Sequence, residues 1–416
     1  MKSVALQRFK QNGPLILWSM IGIVLLIEIL RDAGRGGDFI GYVYSGDLVL
    51  NKQNIYSDPL NTWPPFFSIF SVPIALLDQV NGYLLRLIWL AITIIAFFDL
   101  GNRLFKMIPA LKGINYRNSY HIAIIIVPFL ISFRYLLDNL ANIQINIFML
   151  WLAVIAHEAL LKKHMVKAAF LLALSISLKA YTIFILFFYL YKRLGSMVLW
   201  TLSFLVLLNC IPFIVFGYEM TIHYYDIWWN EIASVPPTVH HKNQSVFGAM
   251  QRFLTGKFPG HHFYVNLVEW TPELAKKISY IIITLAAIFP AFLFRKKTTD
   301  YTLTYEWIFV LTAVPILSPL SWKAYFIFLY PAYLILYHYI FPRNQNSSGI
   351  SLRLKVFYWI SVGLTVLSTE AIAGDEWSDR LESLSVITIG TVILLVLLMM
   401  LYNRINRLTP NVINHN

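Results

Sequence analysis

Asp38 follows the run Gly34-Arg35-Gly36-Gly37, just past an apolar stretch that ends near Leu30. A carboxylate on so flexible a tether can serve as a general base toward a hydroxyl. A second polar cluster reads Asp138-Asn139-Leu140-Ala141-Asn142-Ile143-Gln144-Ile145-Asn146 between two apolar segments. Amides donate and accept together, which suits sugar hydroxyls, and this turn carries more of them than helix capping needs. Three cations could face an anion: Lys179 after Ala173–Leu178, Arg252 downstream of Asn243-Gln244-Ser245, and Lys323 after Ser318-Pro319-Leu320-Ser321-Trp322. A lysine beside apolar spans is costly and is a functional candidate by default. Its plainer role is headgroup anchoring, as the plainer role of Asp38 is a helix-flanking acid met by Arg35 or solvent. The pairs His240-His241 and His261-His262 invite a metal, but no HxxxH, HExxH or Cys/His set accompanies them, so no metal site is expected. No Gly-rich phosphate loop, nucleophile elbow or DxD pair occurs.

The elements that must position these groups are membrane helices. Of 416 residues 58% are hydrophobic, 16% aromatic and only 13% charged, where a soluble domain runs nearer a quarter charged. With a mean hydropathy of +0.63, soluble enzymes, disordered chains and fibrous proteins are excluded. The expected fold class is all-α: a polytopic bundle of about twelve spans. These are 14–30, 83–100, 120–136, 145–160, 168–178, 181–191, 196–216, 279–294, 305–319, 324–341, 356–372 and 385–402. The first reads as a retained signal anchor, since it follows Lys2, Arg8 and Lys10 and no small-residue cleavage site follows it.

With the N-terminus in the cytoplasm, the inside segments hold 20 Lys/Arg and one acid in about 80 residues, and the outside segments 11 Lys/Arg and 15 acids in about 140. That bias fits the positive-inside rule and accounts for the formal charge of +12. It requires a tight hairpin at Lys179–Tyr181. One span with Lys179 in its middle would invert everything downstream and erase the bias. The chain is therefore expected as a single membrane domain over 1–416, multi-pass in the cell membrane with both termini cytoplasmic. Its long outer loops are 31–82 and 217–278, and Phe66–Asp78 is expected as an interfacial or re-entrant helix. Function concentrates on such loops.

Taken in order, these pieces resemble the polyprenol-phosphate-mannose-dependent mannosyltransferases, glycosyltransferase family 87 of the GT-C superfamily. The resemblance rests on Asp38, Tyr44, Ser45-Gly46, Tyr56 and Trp63-Pro64-Pro65, then the amide turn Asn142–Asn146. It continues with the small-residue helix ending in Lys179, Asn243-Gln244-Ser245 with Arg252, and Ser318–Trp322. One departure is Ile143, where the family turn usually carries Gly. The resemblance implies an inverting, single-displacement transfer of a hexose, mannose being the expected sugar. The donor would be a polyprenyl-phosphate sugar and the acceptor an extracytoplasmic glycan or glycolipid. Asp38 would be the general base, and His241 (or His240) would stand near the acceptor. Lys179, Arg252, Lys323, Asn142, Gln144, Asn243, Gln244, Trp63 and Tyr44 would line the substrate site. A phosphate leaving group needs cations more than a general acid, so one carboxylate suffices. The partners implied are the lipid donor, the acceptor and the bilayer, with no nucleic acid. No cofactor is expected beyond the lipid-linked sugar. The competing reading is a transporter or lipid flippase. It would put ionisable residues near the bilayer midplane, whereas Glu28, Arg86, Asp99, Arg134 and Glu158 sit near span ends. A non-catalytic scaffold, the third reading, would tolerate replacement of Asp38.

Overall fold

The computed structural model describes residues 2–57, 61–108, 111, 119–233, 239–256, 265–295, 299–342 and 351–408. The pair His261-His262 and residues 112–118 and 343–350 of two expected inner loops lie outside them. Among the described residues the chain is helical, with no strand and a single bridge between Thr255 and Trp270. The first half comprises α1 (Lys2–Asp32), α2 (Phe39–Leu50), α3 (Pro65–Phe70), α4 (Val72–Met107), α5 (Ser119–Ala141), α6 (Asn146–Leu161), α7 (Met165–Leu178), α8 (Ile183–Tyr191) and α9 (Gly195–Phe216). The second comprises α10 (Tyr218–Ile227), α11 (Val246–Leu254), α12 (Pro272–Leu293), α13 (Asp300–Leu317), α14 (Tyr330–Ile340), α15 (Leu352–Val366), α16 (Glu370–Ala373), α17 (Asp375–Ser383) and α18 (Val386–Leu408).

Among the described residues five segments are long and apolar enough to cross a membrane: Pro65–Met107, Ile122–Ala141, Gly195–Phe216, Pro272–Leu293 and Val386–Asn403. This is the architecture of an all-α polytopic membrane protein. Within the first segment Asn81 breaks the helix (φ −162°, ψ 94°). Its side chain then accepts from Leu84 N at 3.0 Å and caps the arm that follows. The preceding arm buries Ile74 and Ala75 but leaves Leu76, Leu77 and Val80 exposed, the two-sided character of a helix lying on an interface.

Lys179 is extended (φ −159°, ψ 114°) and a 3-10 turn, Ala180–Thr182, follows. Lys179 meets Asn146, at the start of α6, while Tyr189 near the end of α8 meets His157 near the end of α6. The chain therefore reverses direction at Lys179–Thr182, which makes this segment a hairpin rather than one span. α6 and α8 each end on a basic pair, Lys162-Lys163 and Lys192-Arg193. Lys163 and Arg193 take positive φ at 65° and 57°. His164 N then reaches Ala159 O, and Leu194 N reaches Tyr189 O, closing orphan carbonyls in Schellman motifs.

In lipid, helices gain little from burying apolar surface against one another, so packing and inter-helix hydrogen bonds hold them. Tyr135 donates to Thr365 O (2.7 Å), Tyr305 to Leu398 O (2.8 Å) and Ser361 to Gly390 O (2.7 Å). At Gly390 a Cβ would lie 2.6 Å from Thr365 Cγ2, so only glycine allows that approach of α18 to α15. A buried ion pair, Lys192 Nζ to Glu306 Oε2 at 2.9 Å, is completed by Tyr402. It shares the bundle end holding His157, opposite the end where Lys179 meets Asn146.

Candidate functional site

Asp38 sits immediately before α2, held by its own backbone. Its N–H donates to Asn142 O at 2.9 Å, and its carbonyl accepts from Gly41 N at 3.0 Å. The approach is possible because the preceding residue is Gly37. Its φ is +51°, and a Cβ there would lie 2.5 Å from Asn142 O. The facing turn is built the same way. α5 ends in a Schellman motif: Ile143 N reaches Leu140 O and Gln144 N reaches Asn139 O. Ile143 occupies the position that glycine usually takes, with φ 47°. A β-branched residue thus sits in the left-handed region, where such residues are outliers.

This turn aims Gln144 at Asp38. Gln144 Nε2 donates to Asp38 Oδ2 at 2.7 Å, and Gln144 Oε1 accepts from Asn146. Asn146 Oδ1 accepts from Lys179 Nζ at 3.1 Å. Asn139 braces Asn146 from below and itself donates to Ala324 O at 2.8 Å. The Lys179 ammonium also lies over the rings of Tyr325 (4.4 Å) and Tyr181 (5.0 Å), whose hydroxyls bond each other. Among the described residues Lys179 makes no ion pair, and one amide oxygen uses one of its three donors. Burial raises the Asp38 carboxyl above its ordinary range, and the Lys179 charge opposes that shift.

A second cluster joins the loop before α11 to α17. His241 Nε2 lies 3.0 Å from Asp379 Oδ1. Lys323 Nζ contacts Glu370 Oε1 at 2.8 Å and Glu382 Oε1 at 2.7 Å. Burial disfavours the Lys323 ammonium, but Glu382 and Glu370 outweigh it and hold its pKa above the ordinary value. Burial lowers the His241 imidazole, and Asp379 only partly offsets that.

Arg252 is buried and its donors are engaged: Nη1 to His240 O (2.9 Å) and Asn243 O (2.7 Å), Nη2 to Ser385 Oγ (2.6 Å), Nε to Ser383 O (3.3 Å). Burial brings its pKa down to about 10. Asn243 Oδ1 accepts from Ser321 N (3.0 Å) and Ser245 N (3.2 Å). Gln244 Nε2 donates to His241 O and Glu382 O, both at 2.7 Å. These three side chains fasten loops together. Trp63 is buried, stacked on Phe67 with centroids 4.8 Å apart and edge-on to Tyr42. Tyr44 is 51% exposed and joins neither cluster. The structure thus brings Asp38, Asn142, Gln144 and Lys179 together, and places His241 and Lys323 in a separate group.

Asn146, which closes the amide turn in the sequence without being assigned to the substrate, bridges the line, and Tyr42, which stood out in no motif, accepts from Ile145 N at 3.2 Å behind it. The carboxylates of the second cluster lay in plain view: 370–382 holds five acids in 13 residues.

The chain is an all-α membrane bundle with a carboxylate and a buried ammonium near one end. Residues 61–319 match glycosyltransferase family 87, and the chain belongs to that family of membrane glycosyltransferases. Asp38 precedes the matched span, and Lys323 and α17 follow it. No curated protein and no solved structure matches the chain.

Proposed function

We propose that this chain moves a hexose, mannose first among the candidates, from a polyprenyl-phosphate sugar to a hydroxyl of an extracytoplasmic glycan or glycolipid. The observation that carries the reading is Asp38 tied through Gln144 and Asn146 to Lys179. In the proposed step the Asp38 carboxylate takes the acceptor hydroxyl proton. That oxygen forms a bond to the anomeric carbon as the bond from this carbon to the phosphate oxygen breaks. The electron pair leaves on the prenyl phosphate, and one displacement inverts the centre. Lys179 stabilises the phosphate charge as it develops. Arg252 and Lys323 are engaged by protein groups, so Lys179 is the cation assigned to this task.

The positive-inside bias supports a site on the extracytoplasmic face with both termini cytoplasmic. A lipid-borne donor fits that placement: the prenyl chain can lie along the helices while its headgroup reaches the polar turn. The transporter reading has no observation in its favour once the family is known. The test is to incubate isolated membranes, with and without this protein, with a panel of radiolabelled polyprenyl-phosphate sugars. Protein-dependent transfer from one of them supports the reading. Use of none, with the protein verified in the membrane, contradicts it.

A further inference from the structure

The group formed by His241, Asp379 and Glu382 is not needed for the transfer step above, and its donor atoms converge. One donor atom from each residue lies within 4.8 Å of the others. Asp379 and Glu382 are three residues apart on α17 and so share a helix face. His241 comes from the loop across from them. Glu382 is fully buried, yet its Oε2 has no hydrogen-bond partner among the described residues. Its Oε1 is taken by Lys323 (2.7 Å) and Ser378 (3.4 Å). His241 Nε2 is buried and faces Asp379 Oδ1 at 3.0 Å. A buried oxygen with no partner is costly.

The two segments carrying these donors are fixed to each other independently of them. Gln244 Nε2 bridges His241 O and Glu382 O, and Arg252 ties His240 O and Asn243 O to Ser383 O and Ser385 Oγ. The donors are therefore held near one another before any ligand arrives, which lowers the cost of binding. Lys323 pairs with Glu382 and with the neighbouring Glu370, and the charges of Arg134, Lys242 and Arg252 also reach the group.

We propose that His241, Asp379 and Glu382 bind one divalent transition-metal ion through Nε2, a carboxylate oxygen and Oε2. One imidazole and two carboxylates suit zinc or manganese, with remaining positions for water. The ion pins the loop before α11 to α17, beside Lys323 and Trp322. This goes beyond the transferase reading and does not depend on it.

The test uses full-length, tag-free protein in nanodiscs, stripped with chelator and titrated calorimetrically with Zn2+ alone and Mn2+ alone. Binding of one equivalent of at least one ion is expected, with the thermal unfolding midpoint raised on binding. Glu382 also carries Lys323, so Glu382→Gln risks misfolding. Asp379→Asn and His241→Ala remove ligands that are less buried, and each should weaken binding at least tenfold and remove the thermal shift. Absence of saturable binding by wild type, or affinities in both variants within twofold of wild type, would overturn the proposal.

Discussion

Asp38 and Lys179 stand at opposite ends of one hydrogen-bonded line. Lys179 Nζ donates to Asn146, Asn146 to Gln144, and Gln144 to Asp38. The carboxylate and the ammonium are therefore linked without forming a direct ion pair, and removal of the Lys179 charge should be felt at Asp38.

The acid limb of the pH–rate profile should lie above the ~3.9 of an ordinary aspartate, because burial raises the Asp38 carboxyl. The base works ionised, so activity is lost as pH falls through this raised value. Lys179 pulls the value down. In Lys179→Met the limb should therefore move further upward, alongside a weaker response to donor concentration. A limb that stays where it was in wild type would show that the two groups are not coupled.

Gly37→Ala tests the backbone seat of the base. The new Cβ meets Asn142 O at 2.5 Å with φ held at +51°. A strained seat costs about 1–3 kcal/mol, and relieving it must move Asp38 away from Gln144. The expected result is a modest drop in unfolding midpoint with at least a tenfold drop in transfer rate. A rate that falls no more than the folded fraction would remove the seat from the account.

Arg252 acts as a clamp between two loops. Arg252→Lys should destabilise the protein by about 1–3 kcal/mol, the cost of leaving buried carbonyls unpaired, and leave the donor KM of the remaining folded enzyme near wild type. Lysine cannot reproduce the planar fork. A raised donor KM with unchanged stability would instead return Arg252 to the leaving phosphate.

Orientation can be read by labelling. With Cys210 replaced by serine, Ser57→Cys should react with an impermeant maleimide added outside the cell, and Lys163→Cys only after permeabilisation. The reverse pattern would put the Asp38 end in the cytoplasm.

Helical architecture and the reversal at Lys179 were legible in the sequence because hydropathy and charge bias are local sums over long segments. Asp38, Gln144 and Lys179 were legible because each ends or begins an apolar run, where a polar residue is conspicuous. Arg252, Asn243 and Gln244 were read as ligand-facing through the family resemblance of the Asn-Gln-Ser segment, Arg252 also for its charge. Neither shows that the carbonyls of His240, Ser383 and Glu382 already satisfy them. The union of His241 with Asp379 and Glu382 was not legible, since it joins positions about 140 residues apart through a fold no local pattern encodes. The departure at Ile143 was visible, but its outcome was not: the Schellman motif ending α5 imposes the left-handed conformation whatever side chain is present.

The central claim is that Asp38 removes the acceptor proton. Its most direct measurement is the initial transfer rate of purified Asp38→Asn against wild type, in nanodiscs, with the polyprenyl-phosphate donor that wild type uses. Asparagine can still accept from Gln144, so fold and donor binding should persist while the rate falls about 10²–10⁴-fold. A rate within a few-fold of wild type would contradict the assignment.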